Sequence, residues 1–358
     1  MTIYEQMLSK YESDSTISER NAAYEVMQQI TLAGLYRGGF FKEAAFYGGT
    51  CLRIFHGLQR FSEDMDFSLL QPNDKFNFEY YFPAIVQQFE LAGRKVDIVK
   101  KNKQSFGKVE SAFLKDNTDV YDVTFQTEKS LKIKIEVDTN PPLGFKTEQK
   151  LLLQPTSFMT RCYRLQDLFA GKMHALVYRG WKNRVKGRDW YDFAWYVKNG
   201  ISLNFIHLQE RIKDFNGENI SLQTFKEKLK EKLAQTDMNM VKADVQNFLI
   251  DKEELDIWSN DYFTQLAEMM KIEGSISNII IYPNNSETKW FVRCKVDDEQ
   301  KDARQLTPED ANKWNEMKKD GKYFELDEYK QYLANKYFKN EINDEQMITS
   351  NKGRGKSL

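Results

Sequence analysis

The sequence is poor in the residue types that build soft-metal and redox sites. It has only three histidines in 358 residues, which excludes a histidine-rich metal centre. Its three cysteines, Cys51, Cys162 and Cys294, are far apart and form no C-x-x-C pair. This usage predicts free thiols in a reducing cytoplasm and not a disulfide framework. Any catalytic chemistry must therefore depend on carboxylates, lysine and arginine.

The sequence also lacks a membrane-directed segment and an excess of either charge. The start, MTIYEQMLSKYESD, has none of the apolar core of a signal peptide. No run approaches the roughly 18 uninterrupted apolar residues of a membrane-spanning helix. The 52 basic and 53 acidic residues give a net charge of -1, so no global field attracts nucleic acid or membranes. We expect a cytoplasmic protein without a membrane partner, whose contacts to anions come from a local patch.

The order of sequence patterns predicts an α+β protein with two domains. The chain is long for one domain, and its 41% apolar and 29% charged residues suit a globular protein. Short strands alternate with helices up to residue 200, which predicts a mixed-sheet core over 1–200. Lysine- and glutamate-rich amphipathic helices follow. They predict a mostly helical C-terminal domain over 201–358, with a hairpin-like insert around Pro283–Asn285.

Residues 47–67, YGGTCLRIFHGLQRFSEDMDF, combine a glycine turn with an acidic pair. The strand AAFY ends at Gly48 and Gly49, where backbone N–H groups could approach a phosphate at a helix N-terminus. Thr50 is a predicted N-cap for that helix. The following strand places Asp64 and Asp66 on one face, where two carboxylates suit Mg²⁺. Each feature alone is weak, because a turn followed by a solvated acidic face is common.

A third carboxylate stands at the end of the alternating strand LKIKIEVD. Asp138 would complete a two-metal phosphoryl-transfer site and accept a proton from the attacking nucleophile. Glu136 lies on the same face and is a substitute for that role. The alternative is a charged sheet face in solvent.

Lys172 interrupts an apolar stripe in the segment PTSFMTRCYRLQDLFAGKMHALVYRGW, residues 155–181, which we interpret as one helix. The stripe around it consists of Leu165, Leu168, Phe169 and Leu176. A lysine with a buried stem needs an anionic partner, which a metal-bound triphosphate would supply. The alternative is a lysine at the helix margin whose amine reaches solvent.

A basic run and two aspartates follow in RGWKNRVKGRDWYD. The run consists of Arg179, Lys182, Arg184, Lys186 and Arg188. It is either a solvated loop or a grip for phosphates or an RNA backbone. Asp189 and Asp192 lie on one side of the next predicted helix. They would orient Lys172 or Arg188, or only cap the helix N-terminus.

The order of GGTxLR, RFSEDMDF, a strand ending in aspartate, and KMHALVYR…RDWYDF over roughly residues 40–200 resembles the AbiEii/AbiGii-type nucleotidyltransferases. These are toxin components of type IV toxin–antitoxin and abortive-infection systems, within the DNA polymerase β-like superfamily. The resemblance implies a mixed α/β nucleotidyltransferase core followed by a helical domain. It also implies Mg²⁺-dependent transfer of a nucleotide from an NTP to an acceptor.

The resemblance also implies roles for individual residues. The metal ligands would be Asp64, Asp66 and Asp138. Catalysis would use these carboxylates together with Lys172. The resemblance matches Gly48 and Gly49 to the phosphate turn, Lys172 to the nucleotide-binding lysine, and Asp189 or Asp192 to the late acidic motif. We expect the whole nucleotide site to consist of Gly48, Gly49, Thr50, Arg60, Ser62, Lys172, Arg179, Asp189 and Asp192. Tyr47 departs from the lysine that members of the family often carry before the glycines, and the region after about residue 270 matches nothing in the pattern.

The acceptor is the least constrained part of the hypothesis. The basic run favours RNA such as tRNA, and the resemblance implies growth arrest in phage defence with a cognate antitoxin as partner. One alternative is a non-catalytic nucleotide- or partner-binding module on the same fold, although the complete carboxylate set argues against it. Another is a housekeeping nucleotidyltransferase.

Overall fold

The computed structural model describes residues 1–11, 18–101, 118–127, 131–179, 185–273, 276–296, 299–319 and 323–338. The chain divides into two compact units, Met1–Lys271 and Ile272–Leu358. The predicted domain boundary near residue 200 falls inside the first unit. None of the helices in the described ranges is long and apolar enough to cross a membrane.

The first unit contains ten α-helices and eight strands among its described residues. The helices are α1 (Ile3–Leu8), α2 (Glu19–Arg37), α3 (Gly48–His56), α4 (Phe82–Leu91), α5 (Leu165–Tyr178), α6 (Gly187–Lys198), α7 (Phe205–Asn216), α8 (Leu222–Gln235), α9 (Met238–Val245) and α10 (Asn260–Met269). The strands are β1 (Ala44–Tyr47), β2 (Met65–Leu69), β3 (Val96–Lys100), β4 (Thr118–Phe125), β5 (Lys132–Asp138), β6 (Thr147–Leu152), β7 (Phe158–Tyr163) and β8 (Leu203–Asn204).

Seven of these strands form one mixed sheet in the order β3-β4-β5-β2-β1-β7-β6. The β2–β5 and β1–β7 pairs are parallel, and the other pairs are antiparallel. Together with the surrounding helices, this sheet confirms the predicted α+β class. The sheet places β2 at its centre, between β1 and β5.

Alternation along the central strands separates an apolar face from a polar face. In β5, Ile133, Ile135 and Val137 are fully buried, while Lys134 and Glu136 keep partial contact with solvent. Successive side chains of a strand point to opposite faces, so the apolar residues form the core and the charged residues share the other face. Helix α2 contacts β5 and β7 and packs against α4.

The register of the sheet aligns the polar residues of three strands. Asp66 of β2 lies opposite Tyr47 of β1 and opposite Glu136 of β5. Ser68, one step further on the same face of β2, lies opposite Asp138. The parallel pairing of β2 with β5 therefore brings carboxylates together that are about seventy residues apart in the sequence.

The predicted single helix over 155–181 is wrong in its first part. Residues Phe158–Tyr163 form strand β7, and helix α5 begins only at Leu165. Phe158, Thr160 and Cys162 are buried, whereas Met159 is exposed and Arg161 only half-buried. That period-two burial fits a strand between two sheet neighbours better than a helix.

The second unit is a small antiparallel sheet with helices packed on one of its faces. Its elements are β9 (Ile272–Glu273), β10 (Ile276–Pro283), β11 (Trp290–Val296), β12 (Glu299–Gln300), β13 (Arg304–Gln305), α11 (Pro308–Lys319) and α12 (Tyr323–Tyr337). The pairing of β10 with β11 confirms the predicted hairpin, and both β12 and β13 pair with β11. Its core contains Val292, Cys294, Leu306, Trp314, Leu333 and Phe338.

Candidate active site

The glycine turn lies directly against the acidic pair. Gly48 has a φ of +79°, and a Cβ atom there would overlap the carboxylate of Asp66. A Cβ atom on Gly49 would lie 2.8 Å from a guanidinium nitrogen of Arg60 and 2.9 Å from the Ser62 hydroxyl. Only glycines allow these polar side chains to approach the backbone so closely. The turn is therefore fitted to the residues that follow α3.

Helix α3 begins at Gly48, so the prediction of Thr50 as its N-cap is wrong. The N-cap position is Tyr47, whose side chain makes no capping hydrogen bond. Thr50 is fully buried, and its hydroxyl donates to the backbone carbonyl of Asp64. This hydrogen bond of Thr50 connects helix α3 to the loop that carries Asp64. The first backbone N–H groups of α3 have no side-chain cap, so they are available to bind an anion.

Three carboxylates meet beside the turn. The pKa of Asp66 is raised to about 7, first because the group is withdrawn from water and then because Glu136 and Asp64 repel a second negative charge. Glu136 in turn forms an ion pair with Lys134, with 2.5 Å between Nζ and Oε1. The acidic side of the site therefore includes Glu136 as well as the two predicted aspartates.

Asp138 lines the same cavity but lies further along β5, opposite Ser68 and not opposite Asp66. It is 7% exposed, and its Oδ1 accepts a hydrogen bond of 3.0 Å from the backbone N–H of Asn140. Asp138 therefore lies in the cavity, whereas Glu136 is closer in register to Asp66.

The anionic partners of Lys172 are Asp189 and Asp192. Its Nζ lies 2.7 Å from a carboxylate oxygen of each. Burial alone would raise the pKa of both carboxyl groups, but the nearby cations hold these pKa values below their usual range. The sequence left open whether the two aspartates orient Lys172 or Arg188, or cap the helix. They bind Lys172.

Arg60 and Arg179 extend this pairing into a network. Arg60 forms a two-pronged ion pair with Asp192, with Nε–Oδ1 and Nη2–Oδ2 distances of 2.6 Å. Both partners are almost fully buried, at 2% and 0% exposure. Arg179 lies 3.1 Å from Asp189. We call Arg60, Lys172, Arg179, Asp189 and Asp192 the ion-pair network.

Most of the predicted site residues line one cavity of about 690 Å³. Its acidic side is lined by Gly48, Gly49, Asp64, Asp66 and Asp138. Its cationic part is lined by Arg60, Ser62, Lys172, Arg179 and Asp189, of which Arg60 and Ser62 adjoin Gly49. Thr50 and Asp192 lie behind this lining. Of the predicted basic run, Lys182 and Arg184 lie outside the described residues.

Several cavity residues were missed or misjudged from the sequence. Arg211 of α7 lines the cavity, and within the described ranges its guanidinium makes no ion pair and its buried Nε has no hydrogen-bond partner. Lys186 also lines the cavity, and its pKa is lowered to about 8 by burial and by the nearby Arg179. Tyr47, noted as a departure from the family, lines the cavity and stacks on Tyr163 with 5.2 Å between ring centroids. Arg211 lies in an ordinary amphipathic helix, so no sequence pattern marked it.

The donor set fits a magnesium ion that shares its coordination with a substrate. In the part of the chain that the structure describes, no group of three or more His, Cys, Asp or Glu side chains is arranged to hold a metal. Mg²⁺ is usually held by one or two carboxylates together with phosphates and water. Asp64 and Asp66 supply two carboxylates beside a turn that a Cβ atom would fill, so they fit such a site.

Comparison with known proteins identifies the class and the family. The family model described as "Nucleotidyl transferase AbiEii toxin, Type IV TA system" matches residues 30–268, which is more than half of the chain. The protein is therefore a nucleotidyltransferase. It belongs to the AbiEii family of nucleotidyltransferase toxins of type IV toxin–antitoxin systems.

Other comparisons are more distant. No curated protein matches the chain. The structure of JHP933 from Helicobacter pylori aligns with 71% of this chain and 92% of its own, at 17% identity and a TM-score of 0.44. An H. pylori protein assigned as a nucleotidyltransferase aligns with 71% of this chain and 95% of its own, at 18% identity and a TM-score of 0.42.

Replacing Gly48 by alanine tests the fit of the turn, with Gly57 as a matched control. Both glycines have positive φ, +79° and +73°, but a Cβ atom on Gly57 meets nothing within 4 Å. Gly57→Ala should therefore cost about 1–2 kcal/mol of unfolding free energy from backbone strain alone. Gly48→Ala adds the collision with Asp66 and should cost clearly more in urea unfolding. Equal losses for the two variants would contradict the described approach of Asp66 to the turn.

Asp66→Asn should stabilise the metal-free protein above neutral pH. Because the pKa of Asp66 in the folded protein, about 7, lies above its ordinary value of 3.8, folding favours the protonated carboxyl. The stability that the protonated carboxyl gives the folded wild type is therefore lost as the pH rises from 3.8 to about 7. In EDTA, the Asp66→Asn variant should have a higher melting temperature than the wild type, and the difference should be larger at pH 8 than at pH 5. The exposed Asp74→Asn should show no such difference, and a pH-independent effect at Asp66 would contradict the clustering of carboxylates.

Proposed function

We propose that this protein is a Mg²⁺-dependent nucleotidyltransferase toxin that transfers a nucleotide from an NTP to an RNA acceptor. The observation that carries the proposal is that a glycine turn, a cluster of carboxylates and a set of cations line one cavity. Phosphoryl transfer depends mainly on positioning and on stabilising charge. A cavity lined by both carboxylates and cations suits that task.

The triphosphate would lie between the glycine turn and the cationic side. The first amides of α3 at Gly48 and Gly49 would donate to phosphate oxygens. Lys186 and Arg211 form no ion pair with a described carboxylate, so their charge is available to an anion. Lys172 has three N–H donors and uses two of them on Asp189 and Asp192, which leaves one for the nucleotide.

Asp64 and Asp66 would hold the magnesium ion. When bound, Mg²⁺ would neutralise charge on the phosphates and on the departing pyrophosphate. The raised pKa of Asp66 supports this role, because a cluster of mutually repelling carboxylates gains most from a cation. Asp138, the third predicted metal ligand, would contribute a further carboxylate to this site.

A carboxylate of β5 would activate the acceptor. An acceptor hydroxyl would attack the α-phosphorus in line, forming a new O–P bond while the bond to pyrophosphate breaks. The hydroxyl proton would pass to Asp138, the residue predicted for this role. Glu136 is the second candidate because it lies opposite Asp66, although its ion pair with Lys134 opposes proton uptake.

RNA, with tRNA as the leading candidate, is the favoured acceptor. Arg179, Lys186 and Arg188 of the basic run line the cavity and would contact an RNA backbone at its mouth. Membership of a toxin family supports a cognate antitoxin as partner and growth arrest in phage defence as the outcome. Three buried free cysteines are consistent with action in the cytoplasm.

Labelled NTPs and total cellular RNA test the proposal directly. Asp66→Asn should reduce Mg²⁺-dependent label transfer at least about 100-fold, because a charge-positioning group is lost. Asp138→Asn should cause a loss of about 10²–10⁴-fold if it is the base, and Glu136→Gln a smaller one. The reverse order would assign the base to Glu136. Asp74→Asn is the matched control, and an Asp66→Asn enzyme as fast as wild type would refute the site.

A binding module without catalysis predicts a different result. It would bind Mg²⁺·NTP, seen as a shift in melting temperature, without transferring label to RNA, protein or small molecules. A housekeeping enzyme would transfer label without arresting growth when expressed.

A further inference from the structure

The sheet of the second unit has one covered face and one open face. Alternate residues of β11, Val292, Cys294 and Val296, are buried in the core with the helices. The residues that alternate with them are Phe291 and Lys295, which are half-buried, and Arg293, which is exposed. We call the side that carries Ile280, Tyr282, Phe291, Arg293 and Lys295 the open sheet face. The match to the AbiEii family ends at residue 268, so it assigns nothing to this unit.

An aromatic pair forms the apolar part of the open sheet face. Tyr282 of β10 lies opposite Phe291 of β11, and their rings stack with centroids 5.9 Å apart and planes inclined by 25°. Neither ring is fully buried, and the neighbouring Ile280 is 45% exposed. Partly exposed aromatic rings on a sheet are platforms on which a planar group can stack.

The charge on this face is positive. Arg293 lies opposite Ile280, one step along β11 from the aromatic pair, and Lys295 follows on the same side. Neither forms an ion pair with a carboxylate in the described ranges. On β12 and β13, the residues opposite Lys295 and Phe291 are Gln300 and Gln305, which are uncharged. The face therefore joins aromatic rings to uncompensated cations.

A shallow pocket adjoins the aromatic pair at the hairpin end. It is lined by the two rings together with Asn284, Asn285, Ser286 and Ala303. The Asn284 carboxamide oxygen accepts from the backbone N–H groups of Thr288 and Lys289, which fixes the hairpin. Asn285 is exposed. An amide beside a stacking platform can donate to and accept from the edge of a base.

We propose that the open sheet face binds single-stranded RNA. Bases would stack on Tyr282 and Phe291, Asn285 would contact a base edge, and Arg293 with Lys295 would bind the phosphates. This combination of stacking surface and basic track suits a single strand, since a duplex keeps its base faces covered. The choice of RNA over DNA rests on the proposed RNA acceptor.

Fluorescence anisotropy with the full chain and a labelled U12 RNA tests this binding. Tyr282→Ala and Phe291→Ala should each weaken binding by about 5–150-fold, the loss expected for one stacked base. Arg293→Glu should weaken it too and flatten its salt dependence. Because Arg293 is exposed, that variant keeps the fold even if the aromatic variants do not. Lys319→Ala, which removes a charge from exposed α11, is the control and should bind like wild type.

Two outcomes overturn the proposal. One is wild-type affinity in the folded Tyr282, Phe291 and Arg293 variants, and the other is tighter binding of the matched DNA or of an acidic peptide than of U12. Mg²⁺·NTP binding by thermal shift, measured on the same variants, should be unchanged. If the wild-type protein binds U12 but no NTP, the proposed function is refuted, whereas the proposal that the open sheet face binds RNA is not.

Discussion

The buried ion pair between Arg60 and Asp192 is the constraint on which the site depends. Both side chains are almost fully withdrawn from water, so each buried charge depends on the opposite charge 2.6 Å away. Arg60 stands four residues before Asp64, and Asp192 also binds Lys172. The pair therefore fixes the loop that leads to the acidic residues against the helices that supply the cations.

The two sides of the cavity differ in how their charges are balanced. In the ion-pair network each buried aspartate has at least two cationic partners, which holds the pKa of Asp189 and of Asp192 low. On the acidic side, Asp66 lies among carboxylates and its pKa is raised. The first arrangement stabilises the fold, whereas the second destabilises it and would gain from the cation that we propose. A nucleotidyltransferase needs both, because the scaffold must be rigid where the substrate's charges are to be neutralised.

The sequence predicted the features that depend on short spacing. The glycine turn, the Asp64–Asp66 pair and the helical position of Lys172 all follow from local periodicity, and the ordered motifs indicated the family. Long-range pairing was not predictable in this way. The alignment of Glu136 with Asp66 depends on a parallel strand pair, and Arg211 reaches the cavity from a helix beyond the predicted boundary. Strand β7 was missed because its apolar residues also fit a helical stripe continued into α5.

A double-mutant cycle on Arg60 and Asp192 tests the central claim, that their ion pair assembles the nucleotide site. Asp192→Leu should lower the free energy of unfolding by about 3–5 kcal/mol, because it leaves the buried guanidinium of Arg60 without a carboxylate. Arg60→Met should lower it by less, because Asp192 keeps its ion pair with Lys172. The double variant should lose less than the sum of the two, and all three should lose the stabilisation that Mg²⁺·NTP gives the wild type. Single variants that unfold like wild type and are stabilised equally by Mg²⁺·NTP would contradict the account.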